Sequence, residues 1–427
     1  MKTIDLSWLI TFRTDQPNFG LERMEKLLAL RNHPHKSLPV IHLAGTNGKG
    51  STLAHLSQLL QALGLKVGVF SSPYLIDYHD QISINGTSIS EAELQEFLHS
   101  YKEVVLHHQK DLLGLTEFEI ITAISFDYFS QKEVDIAIME VGMGGTLDST
   151  NVCQPILTAI TTIGLDHVAL LGDNLEAIAE QKAGIIKEQI PLVTGKIAPA
   201  ALQVIIKRAN SLEAPILSFE KDYQIKNLVS SEAGESFSYQ SSLRTCPQIT
   251  SPLLGQHQAE NAGLALTIFD SYCQQEGRTL LSNEVIQQAF HKIRWPGRME
   301  IVTYDPLILI DGAHNPHAME RLVDNLNSRY PNKTKHILFS CIKTKEETTM
   351  VRQLQNVHSA DITLTSFEDS RAISAQQMQK LARTENLHFC DWQSFLKKTF
   401  PKGDMLVITG SLYFLAQVRP YLLKEKQ

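Results

Sequence analysis

An apolar run, Val40-Ile41-His42-Leu43, leads into Gly45-Thr46-Asn47-Gly48-Lys49-Gly50-Ser51, and leucines at 53, 56, 59, 60 and 63 follow at helical spacing up to Gly64. Strand, glycine loop, helix is the order a phosphate-binding loop requires. Glycines let the backbone curl until several N–H groups aim at one anion. The helix N-terminus adds about half a positive charge. Lys49 supplies an ammonium for the outer phosphates. Gly45, Thr46, Asn47, Gly48, Lys49, Gly50 and Ser51 are therefore candidate phosphate-binding residues. A plain strand-to-helix turn would need the glycines but neither Lys49 nor Ser51. The generic pattern asks for Gly at position 43 and Ser or Thr at position 50, where Leu43 and Gly50 stand. The loop thus fits a variant class in which another group supplies the magnesium hydroxyl.

At 427 residues the chain is long enough for two domains. A net charge of −7 argues against a basic nucleic-acid-binding surface. The five cysteines (153, 246, 273, 341, 390) contain no CxxC pair, so neither a zinc site nor a disulfide framework is expected, which suits a reducing cytosol. The N-terminus lacks the apolar core of a signal peptide, and no uninterrupted apolar run approaches a membrane span. The expectation is a cytoplasmic monomer that binds neither nucleic acid nor membrane.

Residues 5–36 read as amphipathic helices that Pro34 ends. A strand at 66–70 runs into Ser71-Ser72-Pro73. The Ser72 hydroxyl, at a strand end just beyond the loop unit, is a candidate metal ligand; the alternative is a turn serine. Asn85-Gly86 marks a hairpin. Helices are expected over 91–110 and 117–131, the second with Thr116 and Glu119 spaced as a capping box. The strand 134–140 ends in Glu140 before a glycine-rich turn, the place where a parallel sheet holds magnesium, or simply a surface acid. A strand at 158–164 ends in Leu165-Asp166-His167, where His167 is a second metal ligand, a phosphate donor or a structural histidine. Lys182 and Lys187 close the next helix. This alternation over 38–219 predicts an N-terminal doubly wound, mostly parallel sheet. Residues 220–250 are polar and could form a small antiparallel sheet on its edge, followed by a helix over 257–276.

Trp295-Pro296-Gly297-Arg298 is the expected domain boundary, giving residues 1–294 and 298–427. The second unit reads as a smaller Rossmann-like α/β domain with strands at 299–303, 307–311, 335–340, 361–365 and 405–408. Its most informative turn is Asp311-Gly312-Ala313-His314-Asn315-Pro316.

The loop, Ser72-Pro73, Thr116-Glu117-Phe118-Glu119, Glu140-Val141-Gly142-Met143-Gly144-Gly145, Leu165-Asp166-His167, Lys182-Ala183-Gly184-Ile185-Ile186-Lys187, Trp295-Pro296-Gly297-Arg298 and Asp311-Gly312-Ala313-His314-Asn315-Pro316 occur in one order. That order resembles the folylpolyglutamate synthases and bifunctional dihydrofolate synthases of the Mur ligase superfamily, over nearly the whole chain. The resemblance implies an ATP-dependent ligase that activates a folate carboxylate as an acyl phosphate and joins it to L-glutamate. It implies reduced folates as substrates and leaves dihydropteroate open. It further implies Lys49 and the loop amides on the phosphates, and two magnesium ions, one on Ser72 and Glu140 and one on His167. Lys182 would be carbamoylated. Asn261 and Arg298 would bind nucleotide, with Asp311 and His314 completing the site from the C-terminal domain, and folate in the cleft near Phe118.

Two stretches depart. Many members carry Arg-Phe/Tyr-Asn-Glu-Arg-Ile where this chain reads Asp77-Tyr78-His79-Asp80-Gln81-Ile82, and Lys343-Thr344-Lys345 stands where Lys-Asp-Lys or Asp-Lys-Asp is common. Rival readings carry less. A cell-wall peptide ligase would place a further domain ahead of the loop, and a GTPase would need Asn-Lys-x-Asp. A degenerate folate- or nucleotide-binding paralogue stays open at this point.

Overall fold

The computed structural model describes residues 5–14, 18–74, 78–343 and 346–424. They form two compact units. The first comprises residues 1–227, 237–249 and 260–293; the second comprises 228–236, 250–259 and 294–427.

The first unit is built on an eight-stranded sheet: β1 (Val40–Ala44), β2 (Val67–Phe70), β3 (Ile82–Ile84), β4 (Thr87–Ser88), β5 (Ile136–Glu140), β6 (Leu157–Ile160), β7 (Leu192–Thr194) and β8 (Ile216–Ser218). Their order is β4-β3-β2-β5-β1-β6-β7-β8. The run from β2 to β8 is parallel, and the hairpin β3–β4 turns back at Asn85-Gly86, both at positive φ. Every residue of β1 and β5 is buried, as strands covered on both faces must be. Register sets the site. Leu43 lies beside Glu140, and Ala44 beside Ile160, so the phosphate loop, Glu140 and the segment after β6 leave the sheet at one edge.

Two expectations are narrowed. Among the described residues of 5–36, helices run only over Ser7–Ile10 and Glu22–Ala29, and Pro34 opens a short 3-10 turn, Pro34–Lys36, instead of ending a helix. The strand expected to reach Gly164 stops at Ile160, because the threonine hydroxyls beyond it bond to the phosphate loop.

Three further strands, β9 (Tyr223–Ser231), β10 (Gly234–Ser241) and β11 (Thr245–Ser251), form a sheet of their own in the order β11-β10-β9. The second unit's sheet comprises β12 (Glu300–Tyr304), β13 (Leu307–Asp311), β14 (Lys335–Phe339), β15 (Ala360–Leu364), β16 (His388–Phe389) and β17 (Met405–Thr409). They are ordered β12-β13-β17-β14-β15-β16, parallel except for β12. Its core gathers Leu309, Met319, Leu326, Ile337, Phe339 and Val407. Among the described residues no helix is long and apolar enough to cross a membrane.

Candidate active site

Gly48 caps the helix Lys49–Ala62 at φ 86, a conformation that side chains disfavour. A Cβ there would also lie 2.5 Å from Asn261 Oδ1. Glycine thus lets the loop close down on Asn261, a buried residue of the helix Gln256–Gln275. Sequence spacing of more than 200 residues hid that meeting. Thr46 is buried and turns its hydroxyl to Gly164, not outward.

Lys49 Nζ donates to Gly45 O at 2.9 Å and sits 3.9 Å from Glu140 Oε1. The same carboxylate accepts from the Ser72 backbone N–H at 3.4 Å. Loop lysine, strand-end acid and Ser72 therefore share one place. Lys182 is 4% exposed at the end of the helix Leu175–Ala183. Burial, and then the neighbouring Lys49 cation, push its amine down to about 7, against the pull of Asp166 and Asp148. Lys187, five residues on, donates to Asn151 O at 3.2 Å, and its amine is lowered by burial. His167 lies at φ 48, about half exposed, with its ring 3.9 Å from Asp166. Among the described residues no three His, Cys, Asp or Glu side chains converge as a ready-made metal site.

The turn after Glu140 is braced from below. Asp148 accepts from the Met143 N–H at 2.8 Å and from Thr150 Oγ1 at 2.6 Å. Thr150 Oγ1 accepts in turn from His42 Nε2 at 2.8 Å, a buried ring kept neutral by a pKa pushed down to about 3. Thr146 N donates to Gln181 O at 2.9 Å, docking the turn on the Lys182 helix. Asp148 and the pair Thr161-Thr162 were not singled out by sequence, and Asp166 only as a member of the Leu165-Asp166-His167 run. The signal present was slight: two adjacent hydroxyls at an apolar strand's end.

Thr116 and Glu119 do form the capping box: Glu119 N donates to Thr116 Oγ1 at 3.2 Å and Thr116 N to Glu119 Oε2 at 2.8 Å. Phe118 then packs on Gly142, where a Cβ would lie 2.5 Å from its ring. The arginine-poor stretch receives a cation from elsewhere. Arg13 bonds Glu117 Oε2 at 2.9 Å and also the Tyr78 hydroxyl, which itself bonds Glu117. Asp77 of that stretch, and Thr344 and Lys345 of the other, lie outside the described residues.

In the second unit Asp311 ends β13 and braces its own turn, accepting from Met299 N and Ala313 N at 2.8 Å each. Burial of its carboxylate raises its pKa, with the Arg298 cation opposing. Arg298 Nη1 donates to Gly312 O at 3.4 Å, and His314 Nδ1 donates to the same oxygen at 2.7 Å. Asp311, Arg298 and His314 thus form one cluster around Gly312.

Family models match twice: the Mur ligase middle domain over residues 43–269, and the Mur ligase glutamate ligase domain over residues 297–412. The Bacillus subtilis dihydrofolate synthase/folylpolyglutamate synthase is 38% identical over 94% of this chain and 95% of its own length. A Mycobacterium tuberculosis folylpolyglutamate synthase complexed with ADP superposes with a TM-score of 0.89 at 26% identity, covering 97% of each chain. An FPGS–AMPPCP–folate complex does so with 0.85 at 32% identity, covering 98% of each. Motif order, fold and likeness along nearly the full length agree: the chain belongs to the folylpolyglutamate synthase/dihydrofolate synthase family of Mur ligases.

Proposed function

We propose that this protein is an ATP-dependent ligase that adds L-glutamate to reduced folates through an acyl phosphate, and that it also accepts dihydropteroate. The observation that carries the reading is the gathering of Lys49, Glu140 and Ser72 at one phosphate loop, in a chain whose relatives are named for this reaction.

A carboxylate is a poor electrophile until one oxygen becomes part of a leaving group. Its oxygen attacks the γ-phosphorus of ATP and ADP departs. The glutamate nitrogen, as the free amine, then attacks the acyl carbon and gives up a proton to water, phosphate leaves and an amide remains. Such phosphoryl transfer asks the protein for positioning and charge neutralisation. Lys49 leaves Gly45 O to meet the transferring phosphate. The loop amides other than those of Thr46 and Asn47, which donate to Thr162, hold the β- and γ-phosphates, and Asn261 and Arg298 bind nucleotide. Asp311 holds the turn that presents His314. The donor set, hard oxygens on Ser72 and Glu140 and a nitrogen on His167, fits magnesium. Two such ions, one at Ser72 and Glu140 and one at His167, would neutralise phosphate charge.

Lys182 is best read as a carbamate. Its neutral nitrogen bonds the carbon of carbon dioxide and releases a proton to water. This places beside the Lys49 cation an anion whose oxygens suit magnesium. Folate lies near Phe118, with Arg13 supplying charge where the family's arginines are missing.

The test uses ATP and labelled glutamate, with tetrahydrofolate in one tube and dihydropteroate in another. Label should enter product in both, with ADP accumulating beyond one equivalent of enzyme only when glutamate and pterin substrate are both present. A folded protein that binds ATP yet releases no ADP under any combination would make it a binding paralogue instead.

A further inference from the structure

The second and third residues of the phosphate loop are tied to one segment, residues 161–164. Thr46 N donates to Thr162 O at 2.8 Å. Thr46 Oγ1 donates to Gly164 O at 3.1 Å and accepts from Gly164 N at 3.0 Å. Asn47 N donates to Thr162 Oγ1 at 3.0 Å, while the hydroxyls of Thr162 and Thr161 donate to Asn47 O at 3.0 and 2.6 Å. The segment begins where β6 stops and runs straight on to Asp166 and His167.

We propose that Thr162, with Thr46, is a positioning residue that couples the phosphate loop to the His167 segment, so that nucleotide phosphates and the cation at His167 favour each other's binding. This rests on the assignment above of the loop to phosphate and of His167 to magnesium. The link is a rigid connection. Both peptide groups of Asn47 are held by Thr162, so a loop that turns its amides onto phosphate carries Thr162 with it. Gly164 is held through both its N–H and its C=O by Thr46, which leaves only Leu165 and Asp166 between the clasp and His167. Neither Thr46 Oγ1 nor Thr162 Oγ1 needs to touch a ligand for this. Coupling between two bound species is reciprocal, so it is read equally well from either side.

The full-length protein is titrated with AMPPCP by calorimetry, with and without magnesium, and the ratio of the two affinities is the coupling. Thr162→Val keeps the side chain's shape but removes the hydroxyl that serves Asn47 N and O. It should lower the ratio about tenfold, on the scale of one or two lost hydrogen bonds. Thr162→Ser should restore it. His167→Ala should lower the ratio too, and the double variant should fall no further than the lower single one, because both changes cut the same link. Additive losses in that cycle, or an unchanged ratio in a well-folded Thr162→Val beside a lowered one in His167→Ala, would overturn the coupling and leave the metal role of His167 intact. An unchanged ratio in His167→Ala would instead remove that metal role, and the coupling with it. If Thr162→Val does not fold, Thr46→Val cuts the Gly164 pair alone and is judged by the same ratios.

Discussion

At Lys182 the protein buries a lysine that has no carboxylate at hydrogen-bond distance among the described residues, and the consequence is a pH dependence with a definite sign. Its amine titrates at about 7 in the folded protein against 10.5 for a lysine free in water, so between those values the unfolded chain binds more protons. Stability must therefore rise with pH across that window, and the full penalty holds below it. In bicarbonate-free buffer, Lys182→Met should be more stable than the parent at about pH 6, with the gap closing toward about pH 10. Thermal unfolding across that range checks it, and a gap that widens with pH would contradict the buried amine. Activity of the parent should rise on adding bicarbonate near neutrality, Lys182→Ala should lose most activity, and Lys187→Ala should keep most of it. Lys49→Ala is expected to lower kcat by about two to three orders of magnitude, as removal of a transition-state donor does. Its melting temperature should barely move, since the side chain's own bond to Gly45 O is worth about 1 kcal/mol. Near-normal turnover in the folded variant would refute the role given to Lys49.

Among the elements, those with local chemistry were legible and those made by distant partners were not. The capping box at Thr116, the positive-φ turn at Asn85-Gly86 and the apolar strand before the phosphate loop each announce themselves within a few residues. Thr161-Thr162 misled for the opposite reason. β-branched residues favour strands, but their hydroxyls had a better partner in Asn47, some 115 residues away in sequence. Asn261 and Arg13 are likewise placed by tertiary packing, and no periodicity points to Gly48 or Tyr78. The glycine at 145 is an intermediate case. Its residue type hints at close approach, but only the fold names the neighbour: a Cβ there would lie 2.6 Å from Gln181 O and 3.0 Å from Lys182 O. Both are backbone atoms at a helix end, so they yield only if the helix moves. Gly145→Ala should therefore cost about 1–3 kcal/mol of stability and shift Lys182, so that kcat falls and added bicarbonate restores little of it. An unchanged melting temperature with unchanged kcat would mean that the turn and helix are not packed as described.

For the molecule as a whole, a boundary at Trp295 is expected where the sequence changes character, while the packing units are interleaved along the chain. Residues 228–236 and 250–259 lie upstream of that boundary yet belong with 294–427. Glu235 shows what this means energetically. Its side chain is fully buried, it accepts from Gly255 N at 2.7 Å, and it is ion-paired with Arg329 of the helix Pro316–Arg329. A fragment cut after residue 294 keeps Glu235 and loses Arg329. Stranding one partner of a buried pair costs about 3–5 kcal/mol, a large share of a domain's stability. The fragment 1–294 should consequently melt well below the full chain or aggregate, besides being unable to ligate without Arg298, Asp311 and His314. Glu235→Gln in the fragment should recover part of the lost stability, because the amide does not need a cation. In the full chain the same change should be destabilising, because Arg329 then lacks its carboxylate. Circular dichroism melts of the four proteins decide the matter. A fragment as stable as the parent, or a substitution with the same sign in both, would show that residues 228–236 do not depend on the second unit.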